Sequence, residues 1–121
     1  MKTGKDPRHT NRQKIVQDLF AESFTRQNEL HEKAVQILKE SEEIDKTIEK
    51  IAPEFPVDKL NRVDLSILRL AVYELKVEKK EPPKVIIDEA IELAKEFGGE
   101  KSPSFINGAL GQLLKDENSK I

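Results

Sequence analysis

The sequence predicts an all-α domain, and three observations carry that prediction. Apolar residues recur at spacings of three and four along most of the chain, the period of one helix face. Proline and glycine fall between these stretches as punctuation. The two segments richest in valine and isoleucine, 63–77 and 85–91, keep helical spacing and contain alanine, so no strand is expected. With 121 residues the chain suffices for one domain with a modest core.

Each element is justified by its own residues. Asp6-Pro7 reads as an N-cap followed by proline at the first helical position, opening a helix to about Arg26. Ile15, Leu19 and Ser23 share a face that Val16 and Phe20 widen. Arg8 and Arg12 continue the same stripe toward the N-terminus, so the core-facing side turns basic as it leaves the core. Asn28 is the expected cap of a second, long helix. Along it Leu30, Ala34, Ile37, Ser41, Ile44, Ile48 and Ile51 alternate spacings of four and three, until Pro53 and Pro56 end it. Val57 to Asn61 is a connector, with Asp58 or Asn61 as the cap of the next helix. That helix, "RVDLSILRLAVYEL", is apolar on nearly every side and is predicted to be the most buried. "KKEPPK" breaks the chain, and Pro83 opens a helix with the stripe Ile86, Ala90, Leu93, Ala94 and Phe97. Gly98-Gly99 is the expected left-handed cap at its end. Ser102-Pro103 starts the last helix, with Ile106, Leu110, Leu113 and Leu114 facing inward.

Composition narrows the functional classes. The absence of cysteine excludes disulfides and thiolate metal sites and suits a reducing compartment. The N-terminus has no apolar segment of the kind a signal peptide carries, and no apolar run approaches the roughly 18 residues of a membrane span. A cytoplasmic setting is expected. The net charge of −2 is unevenly spread. Residues 1–14 hold five cations against Asp6, so a basic end sits on an acidic body. That asymmetry suggests a polyanion partner at one place and a basic partner elsewhere. His9 and His31 have no second histidine at metal-ligand spacing, and "EFGGEKS" lacks the spacing of a phosphate-binding loop. No nucleophile elbow occurs, and the carboxylates fall on faces read as solvated. A binding protein is expected, not an enzyme, with no cofactor.

One residue does not fit the core pattern. Phe105 lies about 100° from Ile106 around the last helix, at the margin of the buried stripe. Its neighbours there are Gly108 and Gln112, and Lys101 precedes it by a turn. Two roles are open: a ring filling a groove between helices, or a partly exposed ring on which an unpaired base stacks, with Lys101 and the helix start receiving phosphate. Gly108 is expected to let another helix approach closely.

Three blocks carry a family resemblance: "ILRLAVYEL", "VIIDEAIELAKEFG" and "SPSFINGAL". With "RHTNRQKIVQDLFAESF" at the other end, the chain resembles the NusB transcription antitermination factors over most of its length. The resemblance implies a compact helical domain of two packed small bundles, here about five main helices. Residues 1–6 are then a flexible basic tail, 7–52 a trimmed N-terminal bundle and 58–115 a C-terminal bundle. The bundle is trimmed because only a short link joins Phe24 to Leu30, where the family inserts a further helix. The implied function is RNA binding: pairing with NusE, a small-subunit ribosomal protein, on boxA-type single-stranded RNA. That pairing promotes read-through in ribosomal RNA operons, acting on the RNA polymerase elongation complex indirectly.

Carried over by position, the implied RNA contacts are Arg8, His9, Arg12, Lys101, Ser104 and Phe105. His9 stands where the family frequently has arginine, and Lys101 where it frequently has an acid. The implied NusE contacts are Phe20, Asp58 and Asp64, although capping and helix-dipole stabilisation explain the two acids equally well. The expected state is a monomer or weak homodimer. The alternative is a protein-only helical adaptor or homodimerisation module.

Overall fold

The structure is a computed structural model that describes residues 6–118. The expected basic tail therefore lies, apart from Asp6, outside the described residues. Among these residues every regular element is helical. The first helix, α1 (Pro7–Glu22), starts as its residues dictate: the Asp6 carboxylate accepts the Arg8 backbone N–H at 2.9 Å, with Pro7 in the first turn. That bond, opposed by slight desolvation and aided by the Arg8 charge, holds the Asp6 carboxyl below its ordinary pKa.

α1 stops four residues earlier than expected. The link beyond it is fixed by side chains, not by a further helix. Buried Asp18 accepts the His31 backbone N–H at 2.6 Å and the Lys14 ammonium at 2.9 Å. The next helix, α2 (Glu32–Lys39), is capped by His31 instead of Asn28: its Nδ1 accepts from Lys33 N–H at 3.0 Å. The opposite ring nitrogen then donates to Asn11 Oδ1 at 2.9 Å, which ties the cap to α1.

The single long second helix expected here is two helices, α2 and α3 (Ser41–Ile51). Glu40 at the break leaves helical geometry, with φ −98° and ψ 8°. Its N–H is shared between the carbonyls of Gln36 and Ile37 at 3.3 and 3.1 Å. The stripe still works across the bend, since Ala34, Ile37, Ile44, Ile48 and Ile51 are all buried.

A short 3₁₀ turn, Val57–Lys59, leads to α4 (Arg62–Tyr73). Asn61 Oδ1 caps α4 by accepting from the N–H groups of Val63 and Asp64 at 2.8 and 3.2 Å. As its composition predicts, α4 is the central helix and packs against all the others. It ends in a π-helical turn, Glu74–Glu78, closed by Lys79 N–H to the Glu74 carbonyl at 2.9 Å. Lys79 adopts a left-handed φ of 54° there. α5 (Pro83–Phe97) and α6 (Ser102–Asn118) complete the fold, and one continuous apolar core draws on all six helices. Each fully buried leucine or isoleucine in it contributes about 1.5–3 kcal/mol of transfer free energy.

Two glycine expectations are corrected. Neither Gly98 nor Gly99 adopts a positive φ; Gly98 is extended, at φ −91° and ψ −172°. Glycine is required at 98 because a Cβ would come within 2.5 Å of the Ser102 side chain and 2.8 Å of the Ala94 carbonyl. Gly108 accommodates no close helix, since nothing lies within 4 Å of where its Cβ would stand.

Candidate nucleic-acid interface

The start of α1 meets an unexpected group of acids. Arg12 is buried, 5% exposed, and forks onto buried Glu74: Nε donates to Oε2 at 2.9 Å and Nη2 to Oε1 at 2.7 Å. Nη2 also pairs with Glu81, and Nη1 reaches Glu89 Oε1 at 3.3 Å. Burial opposes the charge, but Glu74 and Glu81 outweigh it, and the Arg12 pKa stands above its ordinary value. His9 is also buried, at 4% exposed. Its Nδ1 faces Glu89 Oε1 at 3.0 Å and its Nε2 faces both Glu96 oxygens at 2.9 and 3.0 Å.

The expectation that His9 and Arg12 touch RNA meets two buried side chains and is corrected. Both sit inside, where they fasten α1 to the end of α4 and to α5. The α1 stripe does turn basic as it leaves the apolar core, but it turns onto carboxylates, not onto solvent. Arg8 alone of the three points outward, with its side chain 68% exposed and one Nη at 3.1 Å from Glu81. Of the acids, Glu74 carried a readable signal, as a carboxylate at the far end of the most apolar segment, ten residues from Asp64, its only other acid. Glu89 and Glu96 lie seven residues apart on one face of α5, a spacing that passes for a solvated stripe.

The residues at the start of α6 form a different surface. Lys101 and Ser104 are exposed, and Phe105 is partly buried against the core. The ring thus fills a groove in part and shows a face in part. It divides two cavities. One, of about 590 Å³, reaches Lys50 at the end of α3 along with Ser104, Gly108 and Gln112. The other, of about 440 Å³, is bounded by Phe55, Lys59, Leu60, Asn61, Asp64 and Lys101. Phe55 is 52% exposed. Lys50, Lys59 and Lys101 form no ion pair within the described residues.

α1 and α4 run antiparallel, since Arg62 donates to the Ser23 carbonyl at 2.8 Å while Arg12 meets Glu74. The Arg12 cluster and the Phe105 surface thus lie toward opposite ends of α4, about 15 Å apart along its axis. Glu96, held by His9 and Gln13, leads from one toward the other through the α5–α6 turn.

The positions implied to face a protein partner separate too. Phe20 is partly buried and meets Phe24 edge to face, ring centroids 4.9 Å apart. Phe24 is 61% exposed and lies under the Arg62 guanidinium at 4.1 Å. Sequence reasoning missed Phe24, because it placed the ring inside the first helix. Asp58 is exposed, whereas Asp64 is buried in the first turn of α4.

Among the described residues the fold and this surface define a class: an all-helical domain presenting aromatic rings beside lysines that form no ion pair there. The profile of the NusB family matches residues 2–115, and the chain belongs to that family. It is 51% identical over 78 residues to the transcription antitermination protein NusB of Clostridium botulinum (strain Loch Maree / Type A3). That match takes in 64% of this chain and 55% of the relative, so it spans about half the length of the curated protein. A structure of T. maritima NusB superposes with a TM-score of 0.78 at 32% identity, covering 100% of both chains. A structure of antitermination factors NusB and NusE in complex with dsRNA superposes at 0.75 with 25% identity, covering 90% of this chain and 96% of that one.

Proposed function

We propose that this chain is an RNA-binding transcription antitermination factor. It pairs with NusE on boxA-type single-stranded RNA and promotes read-through in ribosomal RNA operons, reaching the RNA polymerase elongation complex indirectly. The observation that carries the reading is the Phe105 surface: a partly exposed ring at a helix start, with Lys50, Lys59 and Lys101 around it, none ion-paired among the described residues. A ring face stacks an unpaired base, and the lysines and helix start receive phosphate. Arg8, Lys101, Ser104 and Phe105 are the direct contacts. His9 and Arg12 serve the site by fixing the start of α1, not by touching phosphate. The family relationship and the related NusB–NusE–RNA structure support both partners.

NusE faces Phe20, with Phe24 and Arg62 beside it, and exposed Asp58, whose charge suits a basic ribosomal protein. Asp64 belongs to this surface only through the cavity beside Phe105. The protein is no enzyme and works in the cytoplasm; among the described residues no helix is long and apolar enough to cross a membrane. A protein-only adaptor role rests on exposed Phe24, and it predicts NusE binding without RNA. The test is RNA titration with and without NusE, comparing wild type with Phe105→Ala and Lys101→Ala, using single-stranded and duplex RNA. Unchanged affinity in both variants sinks the RNA surface.

A further inference from the structure

His9 is the histidine whose two ring nitrogens both face carboxylates: Nδ1 faces Glu89, and Nε2 faces Glu96. A neutral imidazole carries one N–H, so it satisfies one of these carboxylates and turns a lone pair on the other. The charged ring donates to both. The ring is buried, so solvent does not replace a lost bond. Charge around it is lopsided among the described residues. Glu89 and Glu96 come from α5, Glu74 from the π-helical turn after α4, and Glu81 from the link before α5. Against these carboxylates stand Arg12, which meets Glu74, Glu81 and Glu89, and Arg8, which meets Glu81. Gln13 adds a neutral donor to Glu96 at 3.3 Å. The two His9 bonds also join both segments of the RNA surface. His9 follows Arg8 in the first turn of α1. Glu96 lies in the last turn of α5, just before Gly98 and the turn that delivers Lys101, Ser104 and Phe105.

We infer that His9 is a proton-dependent clasp between the start of α1 and α5, so that RNA affinity falls as pH rises. The inference rests on the RNA-binding reading above and gives His9 a positioning role. With both protons the ring closes both bonds and holds Arg8 in register with Lys101 and Phe105. Releasing one proton opens one bond. The Glu96 side yields, because the Glu96 side chain is 35% exposed and turns to water. Glu89 is buried and shared with Arg12, so it stays. Histidine is the side chain that changes charge between about pH 5 and 8, whereas lysine and arginine on the RNA surface keep theirs across that range. His31 is not part of the device. Its Nδ1 caps α2 by accepting the Lys33 N–H, which requires a lone pair, and its Nε2 meets Asn11. Linkage is reciprocal: RNA that needs the closed clasp draws a proton onto the ring as it binds.

The test uses the full chain, with and without NusE, and a fluorescently labelled single-stranded RNA of boxA type, titrated at about pH 6 and about pH 8. Wild type is expected to bind about fivefold more weakly at the higher pH, the low end of couplings between sites. Nitrogen-detected NMR of the His9 ring, recorded without RNA, is expected to show both nitrogens protonated at the lower pH and one at the higher. In Glu96→Gln the amide accepts from the charged ring and donates to the neutral one, so the clasp closes at both pH values and the dependence shrinks below about twofold. His9→Arg keeps paired donors without titrating and is expected to flatten it as well. Circular dichroism establishes that each variant is folded, and the partly exposed Glu96 position keeps the test open if His9→Arg does not fold. If Glu96→Gln retains the full wild-type pH dependence, the ring acts only as a distant charge and the clasp is overturned. If wild type binds RNA in a Phe105-dependent manner equally at both pH values, the clasp fails and the RNA-binding reading stands. Wild type that binds RNA at neither pH overturns both readings.

Discussion

Replacing Arg12 by methionine removes the one cation that Glu74, Glu81 and Glu89 share, and keeps most of the side-chain volume. Glu74 is 3% exposed and Glu89 is 4% exposed, so neither carboxylate recovers full hydration when its partner goes. Truncating one member of such a buried pair costs about 3–5 kcal/mol, because a desolvated charge is left behind. For a chain of 121 residues the unfolding entropy is about 0.25 kcal/mol per degree near the midpoint, so a loss of about 4 kcal/mol lowers Tm by about 15 °C. The assay is thermal and urea unfolding followed by far-ultraviolet circular dichroism, since the chain has no tryptophan. Adding Glu74→Leu to Arg12→Met removes both charges of the fork and is expected to recover part of the loss, as apolar replacements of buried pairs do. Arg12→Lys keeps the charge but not the planar fork and falls between wild type and Arg12→Met. A cost below about 1 kcal/mol for Arg12→Met, the range of a surface pair, refutes the buried cluster.

Gly98→Ala forces its Cβ into Ser102 and the Ala94 carbonyl and is expected to cost about 1–3 kcal/mol, whereas Gly99→Ala, which meets nothing within 4 Å, is neutral or slightly stabilising in the same melts. Lys101→Ala is expected to reduce the log–log salt slope of RNA binding by about 0.7, while Phe105→Ala weakens binding by about 1–3 kcal/mol at an unchanged slope; salt-series titrations separate the two. Phe24→Ala removes a largely exposed ring and its Arg62 contact, so it changes stability by about 1 kcal/mol or less but weakens NusE binding measured by calorimetry. The Asp6 carboxyl is held below its ordinary pKa in the fold, so its contribution is present above the ordinary carboxylate range and lost as pH falls through the lowered value. The stability difference between wild type and Asp6→Ala therefore narrows in acid, as melts across that range will show.

Helical stripes were readable because they repeat locally. Ala34, Ile37, Ile44, Ile48 and Ile51 declare a buried face without reference to any other element, and all five are buried. The break at Glu40 is invisible to that pattern, since no proline or glycine marks it and the stripe continues in phase. The short link after α1 was visible as missing length. What holds it, Asp18 and the His31–Asn11 pair, depends on groups 13 and 20 residues apart. The aromatic anomaly at Phe105 was legible from a single helix. The lysines and the buried carboxylate beside it come from other elements.

By itself the sequence determined that the chain is helical, which faces its helices bury, and that Arg12 lies in line with the core stripe, because helix periodicity is set by near neighbours. Only the tertiary structure decided what Arg12 and His9 meet there. Their acidic partners lie 62 to 87 residues away and arrive only when α4 and α5 pack across α1. Whether an ionic side chain is a surface contact or an internal brace depends on the dielectric and the partners around it, and packing alone supplies both.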